Sequence, residues 1–419
     1  MKNTFRLLAF SLLACGLLFT ACKKNDPEDN GNDPTNPGGD ISEAVSLSGS
    51  ISDNRTLSDL GLAVDYLVDG TLWLEGNAML TIEPGVTIMF TGADGNIVVG
   101  ENQGIRMLGT AAKPIVFCGP TNNTNKGSWG GIAINSSRAD NSFEYVQLLN
   151  GGAGDEVLSI NGKLSMKHCT INGALHNGIW VSGELTSFEG NAINNCNEYP
   201  VMLSITKFSQ LGSGNTYSGN TNNMIFGYDT WLDESNATYQ FNPQTIPFYM
   251  SAGAIVNEHA TLKIAAGVEM VFPYDKSLDI YDGCLLQIEG TSGNPVKLHG
   301  TSNDAGSWNG INLASSRSTS GGTQLSNVII TGAGVEEGGA IYCNEDTYAT
   351  LSNITIQNSG SYGMNIAIPY DWDNEAFDFS SYHVTVSGLQ FSNCESGNIF
   401  ERNTEEVYDN FPTSAKKRR

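Results

Sequence analysis

The chain has 419 residues, of which 44 are acidic and 21 are Lys or Arg, and its formal net charge is −23 at pH 7. A nucleic-acid partner is not expected, because a surface that binds phosphates needs clustered Lys and Arg. The 48 glycines, with abundant Asn, Ser and Thr and few segments at helical spacing, favour short strands joined by many turns.

Residues 1–21 have the three parts of a secretory signal peptide. Lys2 and Arg6 give a positive start, an apolar stretch follows at residues 7–19, and small residues precede Cys22. The apolar stretch is too short to span a bilayer comfortably. A cysteine directly after small residues resembles the lipobox of bacterial lipoproteins, whose cysteine is acylated and becomes the mature N-terminus. We therefore expect a lipid at Cys22 that anchors the protein in the outer membrane of a Gram-negative cell, exposed at the cell surface.

Two alternatives exist for this end of the chain. Cys15, after Leu-Leu-Ala, is a second candidate for acylation, but cleavage there would leave an apolar segment on the mature protein. The other alternative is an ordinary cleaved signal without lipid, and the polar linker that begins at Lys23 argues against it. Residues 22–43 are rich in Asn, Asp, Pro and Gly and contain almost no apolar side chains, so they predict a disordered tether.

The folded part of the sequence is internally duplicated. Two pairs of matching segments occur in the same order, LTIEPGVTIMF at 80–90 with LKIAAGVEMVF at 262–272, and GSWGGIAINSSR at 127–138 with GSWNGINLASSR at 306–317. Two homologous halves are predicted, at residues 44–225 and 226–411. A basic tail at residues 412–419 follows, which we interpret as a frayed terminus rather than a binding site.

Shorter units recur inside each half. LSNVIITGAG begins at residue 325 and LSNITIQNSG begins at residue 351, and both alternate apolar and polar residues before closing on Asn or Gly. A lone unit of this kind cannot bury its apolar face, so the units are expected to stack into a solenoid. Asn and Gly suit the turns because they tolerate left-handed backbone angles, and Asn amides can also form a ladder along the stack.

These segments resemble the right-handed parallel β-helix proteins of the pectin-lyase-like superfamily over nearly all of the folded length. The clearest match is LSNITIQNSGSYGMNI at 351–366, and LTIEPGVTIMF followed by GSWGGI resembles a β-helix type common in surface lipoproteins. The resemblance implies an all-β, right-handed parallel β-helix solenoid. It implies no single activity, because the same coil carries lyases, hydrolases, esterases, adhesins and stalks. A pair of β-sandwiches, one in each half, is the alternative fold.

The resemblance also implies what an enzyme would need. Hydrolases of the superfamily use aspartates in Asn-Thr-Asp, Asp-Asp and Gly-His-Gly contexts, none of which occurs in this sequence. Lyases use carboxylate-bound Ca²⁺ and an Arg or Lys base, for which the candidates are Arg138, Arg317, Lys167, Asp140, Glu144, Asp155 and Glu156. Because Arg138 and Arg317 occupy matched positions in the two halves, we interpret them as turn-closing residues. No catalytic residue is assigned.

A candidate ligand site lies near the junction of the halves, where Trp231 stands between Asp229 and Asp233. Sugar binding uses such residues, because an aromatic ring stacks on pyranose C–H bonds while carboxylates accept hydroxyl protons. The equal alternative is that the tryptophan caps the solenoid or packs between the halves.

A second candidate site places Tyr370 and Trp372 beside Asp371, Asp373 and Glu375. Hard cations prefer several oxygens from alternating carboxylates, so the three acids are a candidate Ca²⁺ site, and the two rings are candidate sugar contacts. The segment lacks the Gly and the terminal Glu of an EF-hand loop, and an exposed loop between coils is the alternative. No other cofactor is expected.

Cysteine and tryptophan residues also give expectations about the core. The six cysteines after Cys22 lack any CxxC pair, and we expect most of them to be buried, with Cys169–Cys196 as the preferred disulfide. Trp129 and Trp308, at matched positions in GSW-x-GI, are expected to pack in the core or against a turn.

The leading interpretation is a non-catalytic, lipid-anchored surface protein whose long repetitive face binds glycans, or an envelope or host protein. The alternative is a polysaccharide lyase or hydrolase with an unfamiliar site. A third interpretation is a structural stalk without any ligand.

Overall fold

The computed structural model describes residues 43–314, 322–335, 338–371, 373 and 376–412. Over these residues the chain forms a right-handed parallel β-helix of about 13 turns, which confirms the predicted solenoid. The sandwich alternative is wrong, because successive coils are joined by parallel strand pairs. No helix in the described part of the chain is long and apolar enough to cross a membrane. The predicted positions that lie outside the described residues are Cys15, Cys22, Arg317, Trp372, Glu375, the signal peptide, nearly all of the tether and nearly all of the tail.

Three parallel sheets form the sides of the first half. Sheet 1 contains β2 (Ser50–Ile51), β5 (Thr71–Leu74), β8 (Asn96–Val99), β11 (Gly131–Ile134), β14 (Glu156–Ile160), β17 (Asn177–Val181), β20 (Val201–Leu203) and β22 (Ile225–Gly227). Sheet 2 contains β3 (Arg55–Leu57), β6 (Met79–Ile82), β9 (Gly104–Leu108), β12 (Ser142–Glu144), β15 (Lys163–Lys167) and β18 (Glu184–Glu189). Sheet 3 contains β1 (Val45–Leu47), β4 (Tyr66–Val68), β7 (Thr87–Phe90), β10 (Ile115–Cys118), β13 (Val146–Leu149), β16 (Thr170–Asn172), β19 (Ala192–Asn194) and β21 (Thr216–Ser218).

Three sheets also form the sides of the second half. Sheet 4 contains β23 (Trp231–Leu232), β26 (Ala254–Val256), β29 (Ser277–Ile280), β32 (Gly310–Leu313), β34 (Ile341–Cys343), β36 (Tyr362–Ile366), β41 (Gly397–Glu401) and the antiparallel β42 (Glu406–Tyr408). Sheet 5 contains β24 (Thr238–Phe241), β27 (Thr261–Ala265), β30 (Leu285–Glu289), the first parts of β33 (Thr323–Thr331) and β35 (Tyr348–Gln357), and β39 (His383–Ser387). Sheet 6 contains β25 (Phe248–Met250), β28 (Glu269–Phe272), β31 (Val296–Gly300), the last parts of β33 and β35, and β40 (Gln390–Ser392). A 3₁₀ helix (Ile205–Gln210) and a hairpin of β37 (Tyr370–Asp371) and β38 (Ala376–Phe377) complete the secondary structure of the described residues.

Alternating side chains explain why these strands form coils. In β15, Leu164 and Met166 are buried, while the three residues around them face outward. Inward side chains of adjacent coils stack directly on one another, as Ile132, Leu158 and Ile179 do in sheet 1. Each such side chain contributes roughly 1.5–3 kcal/mol when it leaves water. The core is therefore a set of apolar columns that run along the helix axis.

Asparagines turn the chain between the sheets, as the sequence predicts. Asn195, Asn358 and Asn393 have φ angles of 57°, 54° and 55°, in the left-handed region that most side chains avoid. Asn393 donates its side-chain amide to the Asn358 Oδ1 at 3.1 Å, one coil away. The turns are thus linked to each other along the stack.

Matching tryptophan–phenylalanine stacks occur in the two halves. The Trp129 ring lies 4.5 Å from the Phe90 ring, and the Trp308 ring lies 4.5 Å from the Phe272 ring. Both indoles donate Nε1–H to a backbone carbonyl, of Leu149 in the first half and of Thr331 in the second. Both tryptophans are fully buried, which confirms the expectation from the matched GSW motifs.

The two halves share one continuous stack with an offset between their sheets. The predicted boundary at residues 225 and 226 falls inside β22, which pairs with β20 below and β25 above. β25 in turn pairs with β28, and β28 is the repeat of β7 from sheet 3. Sheet 1 therefore continues as sheet 6. Sheet 4, whose β32 repeats β11 of sheet 1, instead begins against the 3₁₀ helix, which contacts β18 of sheet 2.

The predicted disulfide between Cys169 and Cys196 is wrong, because both residues are free thiols. The strand register explains this result. Thr170 pairs with Ala192 and Asn172 pairs with Asn194, so Cys169 precedes one strand while Cys196 follows the neighbouring one. Both side chains are buried, and burial raises the pKa of each thiol to about 12. Cys284 and Cys343 are also fully buried, in agreement with the expectation that most of the cysteines lie in the core.

Replacing Trp308 with Ala should lower the free energy of unfolding by about 3–5 kcal/mol, because the stacked ring and its hydrogen bond are both lost. Urea unfolding followed by circular dichroism measures the change. Trp231→Ala is the matched control, since that side chain is 44% exposed and its loss should cost less than about 1 kcal/mol. Equal losses at the two positions would contradict the assignment of Trp308 to the core.

Candidate functional site

A groove of about 780 Å³ lies over the outer surface of sheet 4. Its floor is a column of outward side chains on four adjacent strands: Asp279, Asn312, Tyr342 and Asn365. Neighbouring strands in a sheet are about 4.8 Å apart, so the column follows the helix axis. Further side chains complete the lining, among them Tyr274, Asp275, Ser277, Asn309, Asn344 and Arg402.

Asp279 occupies one end of the column with its carboxylate only partly solvated. The Ser277 hydroxyl donates to the Asp279 Oδ2 at 2.8 Å, and the Asn312 amide also hydrogen-bonds this carboxylate. Burial raises the pKa of Asp279 because it disfavours the charged form more than the two hydrogen bonds favour it. The groove therefore contains a carboxylate whose hydration is incomplete.

Asn312 is the least satisfied side chain of the floor. Its Oδ1 is buried and has no hydrogen-bond partner among the described residues. A buried acceptor without a donor costs about 1–3 kcal/mol, and most such atoms in folded proteins are paired. A ligand that donates a hydrogen at this position would remove that cost.

Arg402 is held firmly at the other end of the column. Its guanidinium lies 4.0 Å from the centre of the Tyr342 ring and donates to the Asn365 Oδ1 at 2.6 Å and to the Cys343 carbonyl at 2.9 Å. The turn that carries Arg402 is fixed by the fully buried Glu401, whose carboxylate accepts from the backbone N–H of Ile368 at 3.0 Å. The groove thus combines a fixed cation, an aromatic ring and amide groups.

The first half provides an internal comparison, because it has the same coils without this column. The residues at the equivalent positions of sheet 1 are Val98, Ala133, Ser159 and Trp180, paired in the same register. Residues that the coil itself requires recur in both halves, as the two Trp–Phe stacks do. The polar column of sheet 4 does not recur, so folding of the coil does not require it.

Trp231 lies on the same outward column as the groove floor. It pairs with Ile255, which pairs with Asp279 on the next strand. The indole is 44% exposed and meets the Tyr281 ring edge-on at 6.5 Å, so it is not buried between the halves. An exposed aromatic ring therefore extends the groove floor toward the first half.

The acids beside Trp231 have separate surroundings. Asp229 accepts from the backbone N–H of Ile205 at 2.8 Å and from the Ser204 hydroxyl, so its carboxylate fixes the start of the 3₁₀ helix. Asp233 is exposed. The structure thus gives Asp229 a structural role and leaves Asp233 at the surface.

Tyr370 and Asp371, from the segment predicted to bind Ca²⁺, form β37, which pairs antiparallel with β38. The Tyr370 ring packs edge-on against Phe377 at 5.5 Å, and the Asp371 Oδ1 accepts from the Asp373 backbone N–H at 3.0 Å. No cluster of three His, Cys, Asp or Glu side chains suited to a metal occurs among the described residues, which exclude Glu375. Calcium at this segment stays a prediction.

Three of the lyase candidates of the first half, Arg138, Asp140 and Lys167, are engaged in ion pairs. Arg138 bonds both oxygens of Asp140 at 3.0 and 2.9 Å, and Arg106 contacts the same carboxylate at 2.7 Å. The bond to Asp140 raises the pKa of Arg138, so its guanidinium holds its proton more firmly. Lys167 pairs with Glu189 across adjacent strands at 3.9 Å. These contacts agree with the interpretation of Arg138 as a structural residue.

The sequence interpretation missed the groove residues Asp279, Asn312, Tyr342 and Arg402. One signal was present in the repeats, since GSWNGINL has Asn312 where GSWGGIAI has Ala133. No repeat marks Arg402, which comes from a later coil. Differences between duplicated segments were therefore the available clue to the site.

Asp279→Asn should change the free energy of unfolding by different amounts at two pH values. The difference between the variant and the unsubstituted chain should favour the variant more at about pH 7 than at about pH 3. In the folded chain the pKa of Asp279 is raised above the ordinary value of 3.8. The folded chain therefore binds the proton of this carboxyl group more tightly than the unfolded chain does. Stability from this group is then highest at low pH and falls as pH rises through the folded pKa. Urea midpoints at the two pH values measure the effect. Asp275→Asn, at an exposed residue of the groove lining, is the control. A stability change in Asp279→Asn that is the same at both pH values would contradict the prediction.

Comparison with known proteins identifies the type of coil. Residues 49–156 match the family model of the pectate-lyase like beta helix domain. No curated protein and no solved structure showed significant similarity to the chain. The match, together with the stacked parallel sheets, shows a pectate-lyase-like β-helix fold.

Proposed function

We propose that the chain is a non-catalytic binding protein that holds a saccharide in the groove over sheet 4. The observation that carries the proposal is the polar column on the floor, with its unsatisfied Asn312 Oδ1 beside the Asp279 carboxylate. Hydroxyl groups of a sugar both donate and accept hydrogen bonds, and pyranose C–H faces stack on aromatic rings. Tyr274, which is 67% exposed at the groove, and Tyr342 supply such rings.

The state of Arg402 favours binding over elimination chemistry. A lyase base must give up its proton before it can take one from the substrate. Arginine side chains stay protonated in proteins, and Arg402 donates to the Cys343 carbonyl while its guanidinium lies against the Tyr342 ring. Arg402 is therefore suited to hold a ligand and unsuited to act as a base.

A polysaccharide lyase or hydrolase is the second candidate, and one observation favours it. A carboxyl group with a raised pKa in a groove is typical of a general acid, and Asp279 has this property. Incubation of the purified chain with acidic and neutral polysaccharides, followed by assays for reducing ends and unsaturated products, tests it. Release of either product would overturn the non-catalytic proposal.

A lipid at Cys22 and display at the outer membrane surface are further parts of the proposal. The signal-like residues 1–21, the small residues before Cys22 and the polar segment 22–43 support them. The tether would separate the solenoid from the membrane, so that the groove meets an extended glycan, or another surface protein, outside the cell.

Tyr342→Ala should weaken saccharide binding by about tenfold, because the ring that supports Arg402 and lines the groove is lost. A glycan array with the full chain identifies a ligand, and calorimetry with that ligand measures the change. Trp73→Ala is the matched control, since Trp73 is 50% exposed on sheet 1, away from sheet 4. A ligand that depends on Trp73 and not on Tyr342 would place binding elsewhere, and the absence of any ligand would favour the stalk.

Cys22→Ser should abolish incorporation of a labelled fatty acid when the chain is expressed in a Gram-negative host, because serine lacks the thiol that is acylated. Cys15→Ser is the matched control and should leave incorporation unchanged. Fatty acid that remains on the Cys22→Ser chain would show that the anchor lies at another residue.

A further inference from the structure

The atoms that line the groove restrict the chemistry of the saccharide, provided that the groove is the binding site proposed above. Two acceptors stand side by side on the floor, the Asp279 carboxylate and the unpaired Asn312 Oδ1. Asp275 is also an acidic residue of the groove lining. This end of the groove therefore needs hydrogen-bond donors from its ligand.

A carboxylate on the ligand is poorly matched to this end. Two like charges in close contact at a protein surface repel each other. An unpaired carbonyl oxygen adds a second repulsive partner. The net charge of −23 also disfavours the approach of a polyanion.

Arg402 is the cation that lines the described part of the groove, and its guanidinium lies against the ring of Tyr342, which is two strands along the column from Asp279. Three hydrogen bonds already engage its guanidinium, to the side chains of Asn365 and Asn344 and to the carbonyl of Cys343. These acceptors are neutral, and they leave two of its five N–H groups for a ligand. Ring and hydroxyl oxygens of an uncharged sugar can use these two donors.

We infer that the groove binds a saccharide without carboxylates, and that it prefers an amino sugar whose ammonium group donates to Asp279 and Asn312. An ammonium group has three donors and no acceptor, which fits two adjacent acceptors of which one is charged. Hydrogen bonds between charged groups are about twice as strong as neutral ones.

The experiment compares three probes by calorimetry with the full chain: chitosan oligosaccharides, cello-oligosaccharides and oligogalacturonate. Chitosan oligosaccharides should bind most tightly and oligogalacturonate at least about tenfold more weakly. Asp279→Asn should reduce chitosan affinity about tenfold and leave cello-oligosaccharide affinity within about twofold, because only the charge is removed.

Asn312→Ala provides a second variant with an internal control. The equivalent position of the first half is already an alanine, Ala133, so the coil should tolerate this substitution. It should weaken both chitosan and cello-oligosaccharides, while Ala133→Asn in the first half should change neither. Circular dichroism verifies that each variant is folded.

Tightest binding of oligogalacturonate, with loss of that binding in Arg402→Gln, would overturn this inference and leave the proposed saccharide site intact. Chitosan affinity that is unchanged in both Asp279→Asn and Asn312→Ala would also overturn it. A folded chain that binds none of the three probes, nor any glycan on an array, would overturn the inference and the proposed function together.

Discussion

Each coil of this chain buries its apolar side chains only against the coils directly above and below it. The inward residues must therefore match from strand to strand, as Ile132, Leu158 and Ile179 do. A repeat of this kind gains stability from its neighbours rather than from its own contacts. The same requirement extends to the turns, where asparagines such as Asn358 and Asn393 bond along the stack. Strand register is thus the constraint from which the rest of the structure follows.

The outward side chains do not have to match from coil to coil, and they differ between the two duplicated halves. The buried tryptophans and their phenylalanine partners are the same in both halves. The outward column that carries Asp279 and Asn312 in the second half carries Val98 and Ala133 in the first. A charged residue with an unsatisfied neighbour is costly to keep at such a position. Under the proposed function, a bound ligand accounts for its presence on only one copy of the repeated coil.

The fold could be predicted from the sequence because its signals are local and repeated. Alternation along each strand, Asn and Gly at the turns, and the matched positions of Trp129 and Trp308 all act within single coils. The groove could not be predicted in this way. Asp279, Asn312 and Arg402 are distant in the sequence, and the number of residues in each loop decides which of them share a column. The wrong Cys169–Cys196 pairing has the same origin, since closeness in neighbouring coils does not place two residues at the same end of a strand.

Because sheet 1 continues as sheet 6, repeat-equivalent surfaces do not lie above one another. A polymer laid straight along the first-half surface that contains Trp180 and Phe226 would run onto Tyr249 of sheet 6, and would pass beside the groove rather than into it. The duplication has therefore not produced one platform of double length. It has given a single chain two platforms that face different directions, so that each is able to diversify without obstructing the other.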